Sequence, residues 1–320
     1  MTSATQILVP LDGSSLAEQA LPYAQSLVGA SGRITLLRVF RNPAPFSNGA
    51  GSEIVPEDLV SEWMIKESQR YLDETAASFR LALPTGIEVD TLVVTGDPAG
   101  AILGTAADRN ADLIVMTSHA RGAFGRATYG SVADRIARTA DIPVVIARPH
   151  NEESVEQHTA ISRIIVPLDR SLLAQEALPV AKAMALHLGC SIHLVHVIDT
   201  FSSYMAITGV PVSQSMIDAW YADTRTELEA IEAELRAAGV AATSAIYQGS
   251  TTDNISEIAQ PGDLIVMTSH GRSGFTRWFL GSIAEKLVRI APVPVCLVPA
   301  RHQAPVEAET VTDGIPVLAI

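Results

Sequence analysis

The stretch DLIVMTSHGRSGFTRWFLGS, residues 263–282, decides the fold of this chain. It begins with an apolar run, LIVM, passes through a segment rich in Ser, Gly and Arg, and ends in Gly281-Ser282 before a helical pattern. This order predicts a buried strand, a loop and the N-terminus of a helix. Such a turn gathers backbone N–H groups and the positive end of a helix dipole, so it can hold an anion.

The same construction occurs earlier in the chain as DLIVMTSHARGAFGRATYGS, residues 112–131. The two halves also open alike, with QILVPLDGS at residues 6–14 and RIIVPLDRS at residues 163–171. The chain is therefore a tandem repeat, and its 320 residues suffice for two domains that each bury a core. We predict a first domain at residues 1–149, a linker at 150–162, a second domain at 163–300 and a tail at 301–320.

In each half, short apolar runs alternate with helical patterns. Because the runs are apolar on both faces, we expect parallel strands that helices cover on both sides. The predicted fold is α/β, with two tandem doubly wound (Rossmann-like) domains, each a five-stranded parallel sheet. In the first half the predicted strands are residues 6–11, 33–40, 87–94, 111–116 and 143–148, and the helices start at Ser15, Glu57, Pro98 and Ser131.

Composition and charge narrow the class of protein. The formal net charge is −13 and both halves are acidic, which argues against a nucleic-acid partner, because phosphates require a basic face. No apolar run approaches the roughly 18 residues of a membrane span. The N-terminal residues lack a basic region followed by an apolar core. We expect a soluble cytoplasmic protein without a membrane partner.

The two cysteines, Cys190 and Cys296, lie inside or beside strand-like runs of the second half. Buried core thiols are the favoured interpretation, and a disulfide or a metal site is the alternative. Two cysteines alone do not have the spacing of metal ligands.

The predicted ligand site lies where the first and fourth strands of a unit end. In an open parallel sheet, ligands bind beyond the carboxyl ends of the strands, where the chain order reverses. Asp169 follows the first strand of the second half, and residues 268–282 follow the fourth, so they should face each other across one crevice. The carboxylate would accept hydrogen bonds from an adenosine, and the N–H groups of the loop would hold its phosphates.

The chain resembles a tandem universal stress protein over nearly all of both halves. The resemblance rests on ILVPLDGS and IIVPLDRS at the two starts, on DLIVMTSH before each loop, on GSVADRIAR and GSIAEKLVR after it, and on the closing runs PVVIARP and PVCLVPA. It implies bound ATP with Mg²⁺, and pairing of the two fifth strands in an intrachain pseudo-dimer. Further self-association into a homodimer is also an expectation.

Nucleotide-binding members of that family carry Gly, two residues, Gly, nine residues, then Gly and Ser or Thr. The second copy has Thr268, then Gly271, then Gly281-Ser282, so it lacks only the first glycine. The first copy has Thr117 and Ala120 at the first two positions. The side chain of Ala120 either crowds a phosphate or forbids a positive φ that glycine permits. The second site is therefore the preferred candidate.

By this resemblance, the site residues fall in two sets. The second-domain set is Pro167, Asp169, Val197, Met267, Thr268, Gly271, Arg272, Gly281, Ser282 and Ile283. The weaker first-domain set is Pro10, Asp12, Val39, Met116, Thr117, Ala120, Gly130, Ser131 and Val132.

Each of these residue types also has a purely structural interpretation. Ser15, Ser131 and Ser282 each precede an acidic residue by three positions, which is the spacing of a capping box. Asp12 and Asp169 could simply cap the first helix of each half. Histidines 119 and 270 follow a serine in a turn, which favours loop or interface roles over catalysis. Arginines 121, 126, 272 and 277 either neutralise phosphates or are solvated, and Arg170 either crowds the second crevice or reaches a phosphate.

Three functions compete at this point. The first is a stress-response or regulatory protein that binds ATP with little or no turnover, because no nucleophile, base and orienting group occur together. The second is an interaction protein of the same fold that binds no nucleotide and acts through dimerisation. The third is an adenylating enzyme, which requires a phosphate loop that neither PLDGSS nor PLDRSL supplies.

Overall fold

The computed structural model describes residues 5–41, 57–118, 130–148, 159–198, 213–269 and 280–300. Strands and helices alternate along both halves, as the apolar runs predict. The first half contains β1 (Thr5–Pro10), α1 (Ser15–Glu18), α2 (Leu21–Val28), β2 (Gly32–Phe40), α3 (Glu57–Ala82), β3 (Ile87–Thr95), α4 (Pro98–Asp108), β4 (Leu113–Thr117), α5 (Ser131–Thr139) and β5 (Val144–Ala147).

The second half repeats this order. It contains β6 (Arg163–Pro167), α6 (Leu172–Gln175), α7 (Ala177–Leu188), β7 (Ser191–Ile198), α8 (Gln214–Ala237), β8 (Ala242–Gln248), α9 (Thr251–Ile258), β9 (Asp263–Thr268), α10 (Ser282–Ile290) and β10 (Val295–Val298). Among the described residues, no helix is both long and apolar enough to cross a membrane.

The ten strands form one sheet in the order β3-β2-β1-β4-β5-β10-β9-β6-β7-β8. Strands within each half pair in parallel, which confirms the predicted α/β class with two doubly wound halves. The two fifth strands, β5 and β10, pair antiparallel through Val145 and Cys296. The expected pairing of the fifth strands is thus present, and it joins the two five-stranded sheets edge to edge.

Apolar side chains on both faces of the strands hold the helices against the sheet. In β1, Ile7 and Val9 belong to one buried cluster, whereas Leu8 between them belongs to a cluster on the opposite face. All five residues of β4 are buried, because this strand is central and covered on both sides. In the order of the sheet, β1 lies between β2 and β4, and β6 lies between β7 and β9. The chain order of each half therefore reverses between its first and fourth strands.

The first helix of the first half begins and ends differently from the prediction. Ser14, not Ser15, is the N-cap of α1, because its hydroxyl accepts from the N–H of Ala17 at 3.2 Å. The helical pattern is also interrupted before α2, which has Pro22 in its first turn. Proline has no N–H to bond to the preceding turn, so it starts a new helix instead of continuing the old one.

Further contacts join the halves away from the β5–β10 pair. Ser26 accepts from the N–H of Ile161 at 3.0 Å, so the end of the predicted linker is anchored to α2. His187 at the end of α7 lies with Nε2 3.0 Å from the carbonyl oxygen of Val28. The rest of the predicted linker, residues 150–158, and the predicted tail at 301–320 lie outside the described residues, as do residues 42–56.

Both cysteines are free thiols, so the disulfide alternative is wrong. Cys296 is fully buried in β10, and burial raises its pKa to about 12. Cys190 is half-buried beside the core, and burial raises its pKa as well. The core-thiol interpretation is thus confirmed for Cys296 and holds in part for Cys190.

We expect a thiol-specific reagent at pH 8 to label Cys190 and to leave Cys296 unmodified in the native protein. The thiolate is the reactive form, and Cys296 has neither thiolate at this pH nor access to solvent. Peptide mapping by mass spectrometry measures the labelling, with the denatured chain as the control in which both thiols react. Equal labelling rates for both cysteines in the native protein would contradict the burial of β10.

Candidate functional site

A cavity of ≈ 280 Å³ opens at the carboxyl ends of β6 and β9, where the chain order of the second half reverses. Its walls come from the ends of β6, β7 and β9 and from the first turns of α9 and α10. Eight of the ten predicted second-domain residues line it, and the other two, Gly271 and Arg272, lie outside the described residues. The full lining is Pro167, Leu168, Asp169, Ala174, Val195, Val197, Thr251, Met267, Thr268, Gly281, Ser282, Ile283 and Ala284.

Asp169 lines this cavity from the turn that follows β6. Its Oδ1 accepts from the N–H of Ser171 at 3.0 Å and from the hydroxyl of Ser171 at 2.5 Å. Ser171 in turn caps α6, because its hydroxyl accepts from the N–H of Ala174 at 3.1 Å. The alternative that Asp169 itself caps the first helix is therefore wrong. Asp169 instead fixes the position of Ser171, and Ser171 is the cap. These bonds hold the carboxylate in one orientation.

The N-terminus of α10 faces the same cavity without a side-chain cap. Gly281 is the N-cap residue, and the predicted capping box at Ser282 is wrong, because Ser282 is already the first helical residue. Glu285, the proposed partner, instead pairs with Arg289 at 2.7 Å. The first N–H groups of a helix have no acceptor within it, so they and the helix dipole remain suited to an anionic ligand.

The backbone conformation at the N-cap of α10 does not require a glycine. Gly281 has φ −59°, and its counterpart Gly130 in the first half has φ −67°. Both values suit any L-residue. The backbone at Gly281 is fixed because its N–H donates to the carbonyl of Ser269 at 2.8 Å.

Arg170 does not crowd the second cavity, so this one of its two predicted roles is wrong. It has φ +65°, in the left-handed region where its counterpart Gly13 has φ +82°. Its guanidinium turns to α8 and pairs with Glu227 at 3.0 Å, so it is not part of the cavity lining. In the first half, Arg38 of β2 occupies the space beside Gly13 and lies over the ring of Tyr71.

An equivalent cavity of ≈ 230 Å³ lies in the first half, at the carboxyl ends of β1 and β4. Asp12 holds Ser14 there as Asp169 holds Ser171, with Oδ1 2.9 Å from the N–H of Ser14. Gly130 is the N-cap of α5, so the capping box at Ser131 is also wrong, and Asp134 pairs with Arg138 at 2.8 Å. The lining is Pro10, Leu11, Asp12, Ala17, Leu37, Val39, Pro98, Ile102, Met116, Thr117, Gly130, Ser131 and Val132.

The predicted first-domain residues line this cavity with one exception, Ala120, which lies outside the described residues. Histidines 119 and 270 and arginines 121, 126, 272 and 277 also lie outside them. Within the described residues, no group of three or more His, Cys, Asp or Glu side chains could hold a metal ion.

Sequence reasoning missed one wall of both cavities. One part of this wall is the first residue of the helix that follows the third strand, which is Pro98 in the first half and Thr251 in the second. The other part lies on the second strand, at Leu37 and Val195, respectively. The segments GDP and GST, residues 96–98 and 249–251, follow the third strand with a helix start. Because these segments follow a parallel strand, they lie at the same edge of the sheet as Asp169. A strand followed directly by a helix start is therefore the sequence feature that predicts this wall.

A larger groove of ≈ 450 Å³ lies between β3 and α4 at the outer edge of the sheet. It is lined by the edge strand and by small residues of α4 such as Gly100 and Gly104. It does not reach the ends of β1 and β4, so we place the candidate site in the two strand-end cavities.

A model of the family described as "Universal stress protein family" matches residues 4–148 and 160–299. Universal stress protein Rv2623 of Mycobacterium tuberculosis is 28% identical over 251 residues, which cover 74% of this chain and 77% of the relative. Universal stress protein MJ0531 of Methanocaldococcus jannaschii is 28% identical over 148 residues, 46% of this chain and 84% of the relative.

Among solved structures, a universal stress protein from Archaeoglobus fulgidus matches 93% of this chain and 99% of its own, with a TM-score of 0.66 and 23% identity. At this identity the likeness supports the fold. The family model matches each half separately, in the two segments that the fold also builds as equivalent units. The chain therefore belongs to the universal stress protein family, as a tandem member with two family domains.

Proposed function

We propose that this universal stress protein is a stress-response regulator that binds an adenine nucleotide, ATP with Mg²⁺, mainly in the second domain and with little or no turnover. One observation carries the proposal: a single cavity has the oriented carboxylate of Asp169 on one side and the uncapped N-terminus of α10 on the other. A nucleoside phosphate has the matching parts, hydroxyl donors at the sugar and negative charge on the phosphates.

The remaining lining fits the base. Val195, Val197, Met267 and Ile283 give the cavity apolar walls that can enclose a planar ring. The phosphates would then extend toward Ser282 and the loop that precedes it. Mg²⁺ would arrive with the nucleotide and would be held chiefly by its phosphates.

Binding without efficient hydrolysis is supported by the chemistry of the lining. Within the described part of the second cavity, Asp169 is the one ionisable side chain. Its Oδ1 accepts two hydrogen bonds from Ser171, which orient the carboxylate toward a ligand. The preference for the second domain depends on Gly271 against Ala120, as the sequence pattern proposes.

Nucleotide content and calorimetry test this proposal directly. We expect gently purified protein to release about one adenine nucleotide per chain on acid quench, and the stripped chain to bind ATP with Mg²⁺ at one site. Two nucleotides per chain would mean that both cavities bind and would refute the preference for the second domain. No nucleotide and no titration heat would refute the proposal and favour an interaction protein of the same fold.

A further inference from the structure

We infer that Thr251 is a specificity-determining residue of the second cavity and that it reads a polar edge of the bound base. This inference rests on the proposed function, since it concerns the ligand of the same site. Thr251 and its first-half counterpart Pro98 differ in chemistry, although the two cavities are otherwise closely alike.

The two cavities are built from equivalent residues with nearly the same chemistry. The aspartate, the strand-end threonine, the N-cap glycine and the first serine of the following helix are the same in both. The apolar exchanges, Leu37 for Val195 and Val132 for Ile283, change size but no hydrogen-bonding group. Pro98 against Thr251 is the exchange among the described lining residues that changes hydrogen-bonding capacity.

The exchange adds two polar groups to the second cavity. Pro98 and Thr251 are the first residues of α4 and α9, respectively. Proline has neither a hydroxyl nor a backbone N–H, whereas Thr251 has both, and a first-turn N–H has no acceptor within its own helix. The cap of α9 is a different residue, Ser250, whose hydroxyl accepts from the N–H of Asp253 at 3.4 Å. Capping therefore does not explain the threonine.

The position of Thr251 indicates which part of the ligand it meets. α9 packs against β7, the strand that carries Val195 and Val197, and also against α10. Thr251 lines the cavity together with these two valines, and we place the base against this wall and the phosphates at the uncapped N-terminus of α10. A hydrogen-bonding group in an otherwise apolar wall discriminates between ligands strongly, because a ligand that leaves it unpaired loses affinity. Thr251 thus distinguishes purines by the donors and acceptors on their rings.

The test measures the affinities for ATP and GTP by calorimetry, each with Mg²⁺. The background is an Asp12→Ala, Gly130→Val variant, which blocks the first cavity and assigns the heat to the second. Thr251→Val keeps the shape and removes the hydroxyl, and we expect its ATP affinity to fall about three- to tenfold while that for GTP changes less. Thr251→Ser should retain the ATP affinity within about twofold.

Thr251→Pro supplies a second variant, because the first half already starts the equivalent helix with proline. It removes the N–H and the hydroxyl together, so it should lose at least as much ATP preference as Thr251→Val. Equal losses for ATP and GTP, or a Thr251→Ser variant as weak as Thr251→Val, would overturn the specificity role while leaving nucleotide binding intact. Absence of ATP binding in the background protein itself would overturn the proposed function, and the inference with it.

Discussion

Replacing Asp169 with Ala and Gly281 with Val in one chain is expected to weaken ATP binding at the second cavity by about a hundredfold or more. The first change removes an oriented carboxylate that accepts hydrogen bonds from the ligand. The second places a branched side chain at the N-cap of α10, where phosphates would approach the backbone. Loss of a charged hydrogen-bond acceptor and steric overlap each cost roughly 1–3 kcal/mol, and 1.4 kcal/mol is tenfold in affinity.

The fold should survive this double change. Gly281 has φ −59°, so valine is not strained there, and the loss of the two hydrogen bonds from Ser171 to Asp169 costs about 1–2 kcal/mol. The matched control is Asp12→Ala with Gly130→Val, which makes the same changes in the first half. Titration calorimetry with ATP and thermal unfolding of both variants measure the effect. If the second-domain variant binds ATP like the wild type, the ligand site lies elsewhere.

The strands and their order could be predicted because burial on both faces leaves a direct mark on the sequence. The run at residues 264–267 is apolar at every position, and only a covered, central strand requires this. The position of Asp169 followed in turn, since the carboxyl ends of parallel strands meet at one edge. The pairing of β5 with β10 was expected only through the family resemblance, because the spacing of apolar residues contains no information on which edges meet.

The start of α10 could not be predicted, because it depends on a contact distant in sequence. The spacing of Ser282 and Glu285 suits a capping box, but the N–H of Gly281 bonds to Ser269 and moves the cap one residue earlier. The partner of Arg170 could not be predicted for a similar reason. Its partner, Glu227, lies on α8, and only the packing of α8 beside the first loop brings the two together.

Replacing Asp263 with Ala is expected to destabilise the second half by about 3 kcal/mol, at the lower end of the range for breaking a buried pair. Asp263 is the first residue of β9 and is 3% exposed. It accepts from Arg163 at 2.8 Å and 2.6 Å and from the N–H of Gln260 at 2.8 Å. Without it, the guanidinium of Arg163 loses its carboxylate while still largely covered, and it retains the carbonyl of Ile258 at 3.2 Å.

The first half provides the matched control for this pair. Asp112 occupies the equivalent position but is exposed and accepts from the N–H of Gln6 at 2.8 Å, and Gln6 stands where the second half has Arg163. Asp112→Ala should therefore cost only about 1 kcal/mol, the value of an ordinary hydrogen bond. Urea unfolding of both variants measures the difference in the free energy of unfolding. Equal losses in the free energy of unfolding would show that burial of the Arg163–Asp263 pair adds nothing to stability. A larger loss for Asp263→Ala would show that the repeated sequence DLIVMTSH begins with different stabilising contacts in the two domains.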